Sequence, residues 1–543
     1  MAHSFSFKAS KQTWITFFKR NLFTKESLPI IGILFLAAFL RLYKISDYMT
    51  FLGDEGRDVL VAKQILEGNL TFLGPRASAG DFYLGPIYYY FMTPFLLLFN
   101  YDPVGPAIMV ALAGIVTVFL VYYITKEWIN KPAGIIAAAL YTVSPLVIAY
   151  SRSSWNPNLM PIITLTLLYV LYKAVVRPSW KLFLAVGILF GIAMQLHYIE
   201  LFMAFVIFFF TLFGRIIISR KFEVVLLFKS YAQMILGFLI SFSPFIAFEV
   251  KNGFPNIRTI FSFVINPATG DPALLSKSSF LEIVGDVFFR LFARLSFRFP
   301  EINKIETFDQ TVIFIWSLGI ICIAVLSIIS LLRIKNNVVK LLLVLWLVFG
   351  VILFGFYKKS IYDYYFEFMF PLPFILIGGL FSYPFIKKSN AFFKGSIVVI
   401  VAAIFIWNLL GMPFLAPPNK QKDQVKNISE FVLSQTNDKP YNFALLTPGN
   451  SDHGYRYFFE VAEMKPVEIE NPIKDPHRTS VTEQLLIVCE DLTCSPLGHP
   501  LFEVAGFGRA EIADIWDLTV VKVYKLVPFS GKNTDVTPKK ISI

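Results

Sequence analysis

Residues 28–58 read LPIIGILFLAAFLRLYKISDYMTFLGDEGRD. The stretch opens on an apolar run, 28–43, and closes on Gly53-Asp54-Glu55-Gly56-Arg57-Asp58. A run approaching the ~20 apolar residues that cross a bilayer predicts a membrane span. Lys8, Lys11, Lys19, Arg20 and Lys25 precede it, and no small-residue cleavage site follows it. It therefore reads as a retained first span rather than a signal peptide. Basic residues collect on the cytoplasmic side. This places the N-terminus in the cytoplasm and the acidic hexapeptide on the outer face.

The rest of the composition agrees. The chain has 543 residues, 56% hydrophobic and only 16% charged, with a mean hydropathy of +0.63. Soluble domains carry roughly 25% charged residues, so a water-soluble enzyme, a disordered chain and a disulfide scaffold are excluded. The net charge of +12 is assigned to cytoplasmic loops. No basic block with interleaved aromatics suggests a nucleic-acid partner.

Further apolar runs fall near 105–124, 133–150, 158–172, 182–199, 200–214, 231–248, 311–332, 341–356, 366–385 and 395–413. A run at 84–99, rich in Tyr and interrupted by Pro86 and Pro94, reads as an interfacial segment. The expected fold is mainly α: a polytopic helical membrane protein of about 11 spans. A cytoplasmic segment, 1–27, leads into a transmembrane module, 28–414, with external loops 46–83 and 250–310. The second loop contains Arg258, Arg290, Arg294 and Arg298, and its stretch Phe280 to Phe297 reads as amphipathic and interface-bound. Residues 415–543 form an external polar tail. Helix-like pieces (Gln424 to Leu433, Gly454 to Ala462) alternate there with strand-like ones (Tyr441 to Leu446, Leu485 to Cys489, Thr519 to Leu526), which predicts a small α/β domain. Cys489 and Cys494 are placed to pair if this region faces an oxidising compartment.

The hexapeptide is the strongest chemical signal. Behind it, Val59, Ala62, Ile65 and Leu66 recur with helical spacing, which predicts a short amphipathic helix lying on the bilayer. A purely structural role is available, because Asp is a good N-cap and Glu suits a first helical turn. A carboxylate beside a membrane-bound substrate is also a general base for an attacking hydroxyl. Adjacent helical residues point about 100° apart, so Asp54 and Glu55 are expected to divide the work. His197 falls near the outer end of a span, where a polar group is costly; pairing with backbone or Tyr would be its structural role. Lys358, Lys359, Tyr362, Tyr364 and Tyr365 precede a Pro-bearing span. The two lysines lie outside in this topology, against the positive-inside trend.

The Asp-Glu-x-Arg motif in a first external loop resembles the GT-C superfamily of glycosyltransferases. Its neighbours follow in order: Tyr83-Leu84-Gly85-Pro86-Ile87-Tyr88-Tyr89, Ile124-Thr125-Lys126-Glu127, Ala133-Gly134 and Tyr150-Ser151-Arg152-Ser153. The similarity is to the protein O-mannosyltransferases and the lipid A aminoarabinose transferases, and more distantly to the catalytic subunit of oligosaccharyltransferase. It covers roughly 28–385 and not the tail. The resemblance implies an enzyme that moves a sugar, with inversion, from a polyprenyl-phosphate donor to a lipid, glycan or protein acceptor on the outer face of the membrane. It makes Asp54 the general base, Glu55 the second acid and Arg57 a residue near the lipid phosphate. It also makes His197, Lys358 and Lys359, with Tyr362, Tyr364 and Tyr365, candidates for donor contacts.

The family often has Lys or His where this chain has Gly85, so Arg76 and Asp81 are the nearby substitutes. Arg152 is a weaker candidate, since a lone arginine at a span end usually anchors headgroups. Mg²⁺ or Mn²⁺ is the metal that Asp54 and Glu55 would hold. Oligosaccharyltransferases have a further acid where Ser151 to Asn156 has none, so no required metal is expected. A transporter or flippase is the competing class, but no internal repeat supports it. A scaffold acting through the tail is a third.

Overall fold

The computed structural model describes residues 27–77, 82–265, 278–357, 359–387, 389–531 and 536–541. It divides into two units. The first comprises Met1–Tyr43, Thr71–Tyr88 and Ile108–Pro417, and the second Lys44–Leu70, Tyr89–Ala107 and Pro418–Ile543.

The first unit is a helical bundle. Among the described residues of the chain, seven helices are long and apolar enough to cross a membrane, or eight if a bent pair counts as one span. That is fewer than the eleven crossings expected. The bent pair is Asp363–Met369 and Pro371–Ile386, which meet at 56°. The bend falls at Phe370, where Pro371 has no N–H to carry the helical hydrogen bonding across the junction. Three further apolar helices are shorter: Leu28–Leu42, Ile87–Leu98 and Trp180–Leu196.

The expected span at 133–150 is two helices, Lys131–Thr142 and Pro145–Tyr150. Ser144 caps the second, accepting the Val147 N–H, and donates its hydroxyl to Leu295 O at 2.6 Å. Pro145 has no N–H to continue the first helix. The run 84–99 contains the 12-residue helix Ile87–Leu98, about 18 Å long at 1.5 Å per residue and too short to span. Phe280–Phe297 is a helix, as its amphipathic pattern predicts, and Ser279 and Glu282 form its capping box.

The second unit holds a five-stranded sheet, ordered β1-β2-β4-β3-β5. The strands are β1 (Asn442–Leu446), β2 (Leu485–Cys489), β3 (Ala510–Asp517), β4 (Lys522–Pro528) and β5 (Lys539–Lys540). β1 and β2 run parallel, and β4 is antiparallel to both β2 and β3. β2 is buried on both faces: Leu485, Ile487 and Cys489 join one core with Leu446, Phe507 and Leu526, while Leu486 and Val488 are as deeply buried. Such continuous apolar strands are what a covered sheet requires. β3 was not expected. Its sequence, AEIADIWD, is acidic and half-buried, with a register shift at Ile512/Asp514, so it lacks the apolar run that marks a central strand. Cys489 and Cys494 form a disulfide, and Cys322 is free.

In the same unit, the helix Gly53–Leu66 packs along the helix His453–Val461. The helix expected over this stretch is present. Two glycines permit the approach. A Cβ on Gly53 would sit 1.9 Å from Ser451 Oγ, and one on Gly56 would sit 2.3 Å from the Gly454 backbone nitrogen. Only glycine allows backbones this close.

Candidate active site

The acidic motif occupies the first turn of the helix Gly53–Leu66. Glu55 Oε2 accepts the Leu52 N–H at 3.0 Å. This ties down one of the donors that a helix start leaves unmatched. The structural role offered by the acidic pair therefore falls to Glu55. Burial pushes the Glu55 carboxyl up to about 7, against the pull of the Leu52 amide.

Asp54 has a different environment. Its side chain is 49% exposed, and its Oδ1 lies 2.8 Å from Arg57 Nη1. The same guanidinium donates through Nη2 (2.7 Å) and Nε (3.0 Å) to Oδ1 of Asp58, whose side chain is fully buried. Burial pushes Asp58 up to about 6 while Arg57 draws it down. Burial also works against the Arg57 charge, but Asp58 and then Asp54 outweigh it and hold the guanidinium firmly protonated. The result is a chain of charges from interior to surface: a buried anchor, a fixed cation and a half-exposed carboxylate. A carboxylate held in one orientation is suited to accept a proton.

Two further groups flank this turn within the second unit. Asn450 Oδ1 accepts the Gly53 N–H at 2.9 Å. His453 Nδ1 lies 2.8 Å from Ser451 Oγ. Burial pushes the His453 imidazole down, Asp452 and Asp54 draw it up, and Arg57 and Arg456 push it down. His453 thus stands within the field of the Asp54–Arg57 pair. Neither Asp58 nor His453 was singled out from the sequence. The spacing Asp54-x-x-Arg57-Asp58 was a usable signal for the first, and there was none for the second.

The fit of a metal is decided by the same contacts. Arg57 engages Asp54, and the helix cap engages Glu55. Among the described residues no group of three His, Cys, Asp or Glu side chains is placed to hold a metal ion. The residues present do not assemble the oxygen set that Mg²⁺ or Mn²⁺ takes, and no step is derived through one.

The first unit gathers an aromatic cluster around His197. The His197 ring stacks on Tyr198 at 4.6 Å and lies 5.1 Å from Tyr365 and 5.9 Å from Tyr364. Its Nδ1 accepts the Ile199 N–H at 3.3 Å, which leaves Nε2 to carry the proton of the neutral ring. Tyr198 and Tyr357 share a hydroxyl hydrogen bond of 2.8 Å. Tyr362 stacks on Tyr364 at 5.7 Å, and Tyr364 packs against Trp155 at 4.4 Å.

Asp363 fixes this segment. It receives Arg290 Nη2 at 2.6 Å and Arg294 Nη1 at 2.5 Å. Those arginines stand out in the sequence as loop residues, but their partner does not. Lys359 is buried, unlike a lysine exposed in an ordinary loop. Lys358 and Asp81 lie outside the described residues.

The remaining candidates have structural work. Arg152 is fully buried and donates to the carbonyls of Leu40 (2.8 Å), Arg41 (3.2 Å) and Tyr43 (2.7 Å). It caps the C-terminal end of the first apolar helix and is not a headgroup anchor. Arg76 is exposed and forms a backbone bridge to Tyr83. A Cβ at Gly85 would lie 2.1 Å from Gln195 Cγ. The departure from the family pattern at this position thus has a packing cause: Gln195 fills the space of a side chain at 85.

Residues 84–248 match the family described as dolichyl-phosphate-mannose-protein mannosyltransferase. The fold matches ArnT from Cupriavidus metallidurans bound to undecaprenyl phosphate. That likeness has 12% identity and a TM-score of 0.59, and covers 93% of this chain and 99% of ArnT. The chain has the fold of ArnT. The apo state of the same ArnT matches at 12% identity and a TM-score of 0.57, covering 95% of this chain and 98% of the other. The archaeal oligosaccharyltransferase AglB from Archaeoglobus fulgidus, in complex with an inhibitory peptide and a dolichol-phosphate, is similar at 12% identity and a TM-score of 0.49, over 87% of this chain and 70% of AglB. The sequence comparison with curated proteins finds no match. The chain is accordingly an integral membrane protein of many helices with an ArnT-like fold.

Proposed function

We propose that this chain is a membrane glycosyltransferase that moves a sugar from a polyprenyl-phosphate donor to an acceptor hydroxyl on the outer face of the membrane. The match of residues 84–248 to the mannosyltransferase family supports the reaction class. The ArnT likeness, with its bound undecaprenyl phosphate, supports a polyprenyl-phosphate carrier. The observation that carries the reading is the Asp54 carboxylate, half-exposed and fixed by Arg57 at 2.8 Å.

Asp54 takes the proton of the acceptor hydroxyl. The oxygen attacks the anomeric carbon as the bond from that carbon to the donor phosphate oxygen breaks. The products are a glycoside of inverted configuration and the polyprenyl phosphate. No covalent sugar–enzyme intermediate forms. Donors fixed in place before reaction stabilise the charge that develops on the leaving phosphate. His197 Nε2, Lys359 and the hydroxyls of Tyr362, Tyr364 and Tyr365 are assigned to that anion from the chemistry of their own unit. Arg57 is assigned mainly to holding Asp54, since two carboxylates already engage it.

The test is purified protein supplied with a panel of radiolabelled polyprenyl-phosphate sugars and polypeptide, glycan and lipid acceptors. Transfer, or release of free sugar, from one donor supports the proposal. Donor-independent uptake of substrate into proteoliposomes, with no transfer, supports a transporter and overturns it.

A further inference from the structure

The first unit contains a second polar site, at the end of the bundle that gathers basic loops. Segments 126–131, 172–181, 330–340 and 383–391 carry Lys or Arg throughout, and Glu127 is the one acid among their described residues. Lys173 already pairs with Glu127. Between these segments lies a cavity of about 450 Å³, within the size range of small-ligand sites. Trp128, Asn130, Arg333, Lys335, Ser382 and Tyr383 supply its polar and aromatic walls, and no carboxylate lines it.

The walls are built rather than loose. Asn130 donates to Ser382 Oγ at 3.1 Å and caps the next helix by accepting the Ala133 N–H at 2.8 Å. The Arg333 guanidinium lies over the Tyr383 ring at 4.3 Å, and Lys387 approaches the same ring at 5.4 Å. Neither Arg333 nor Lys335 forms an ion pair among the described residues. Trp128 is buried, and its indole N–H has no acceptor.

The positive-inside trend accounts for basic loops. It does not account for an acid-free cavity between helices. Basic pockets between membrane helices are where anionic headgroups bind. We propose that this cavity binds a phosphate ester anion of the kind an anionic phospholipid headgroup presents, with Arg333 and Lys335 as the charges. None of these residues has a part in the transfer reaction.

Native mass spectrometry of the full chain, released from micelles containing phosphatidylglycerol or phosphatidylcholine, tests this proposal. Titration with inorganic phosphate, followed by tryptophan fluorescence, provides the soluble arm. Selective retention of phosphatidylglycerol identifies a lipid headgroup as the source. Saturable phosphate binding without lipid selectivity identifies a soluble phosphate. In either case the double variant Arg333→Gln/Lys335→Gln is expected to weaken binding at least tenfold, as loss of charged hydrogen bonds does. Equal retention of both lipids with no phosphate binding overturns the proposal. So does unchanged binding by a double variant that elutes as folded protein.

Discussion

Arg57 donates to Asp54 across one helical turn, at 2.8 Å. Its other face is bound to Asp58, so the cation that orients the surface carboxylate is itself anchored in the interior. The two carboxylates should therefore respond differently to loss of Arg57. Asp54 is half-exposed, and an exposed ion pair contributes at most about 1 kcal/mol. Asp58 is buried, and a buried charge stripped of its partner costs roughly 3–5 kcal/mol. Thermal denaturation in detergent is expected to find Arg57→Ala strongly destabilised and Asp54→Asn close to the parent. Equal melting temperatures for the two variants would count against this hierarchy.

Glu55 gives a pH dependence of defined sign. Its folded pKa is raised to about 7 from 4.5, chiefly by burial, so the folded state binds its proton more tightly than the unfolded chain. The stability tied to that proton is fully present below pH 4.5 and is lost as pH rises through about 7. Glu55→Gln keeps an oxygen that accepts the Leu52 N–H and removes the titration. The variant is expected to gain on the order of 2 kcal/mol relative to the parent between pH 5 and pH 8. Parallel stability curves for parent and variant over that range would refute the assignment.

Asp363 holds the tyrosine segment through Arg290 and Arg294. As a positioning residue it should affect donor binding more than chemistry. Asp363→Asn is expected to raise KM for the lipid donor about tenfold or more, as loss of charged hydrogen bonds does, with a smaller change in kcat. A fall in kcat at unchanged KM would assign it a different role.

The packing at Gly85 yields a paired test. Gly85→Lys restores the family's basic residue but collides with Gln195, and overpacking of this kind costs about 1–3 kcal/mol. Adding Gln195→Ala should recover part of that loss. Additive effects of the two changes would show that the residues do not compete for space.

Much of the fold was legible because it rests on local pattern. Long apolar runs gave most of the span helices, and the continuous apolar run of β2 gave that strand to the residue. The break at Ser144-Pro145 was masked by apolar residues on both sides, although the dipeptide itself signals a helix start. At the site, the charge motif could be read but its division of labour could not. Glu55 is a cap, Asp58 an anchor and Asp54 the exposed member because of burial, which depends on residues far away in the chain. The contact of Gly53 with Asn450 spans 397 positions, and no local spacing encodes it. His453 was invisible for the same reason.

The most direct measurement is sugar transfer from a polyprenyl-phosphate donor by purified Asp54→Asn protein beside the parent. Loss of a general base lowers turnover by about 10²- to 10⁴-fold. The account predicts a loss of that size in a variant whose melting temperature matches the parent. Turnover at the parental rate in the folded variant would contradict it.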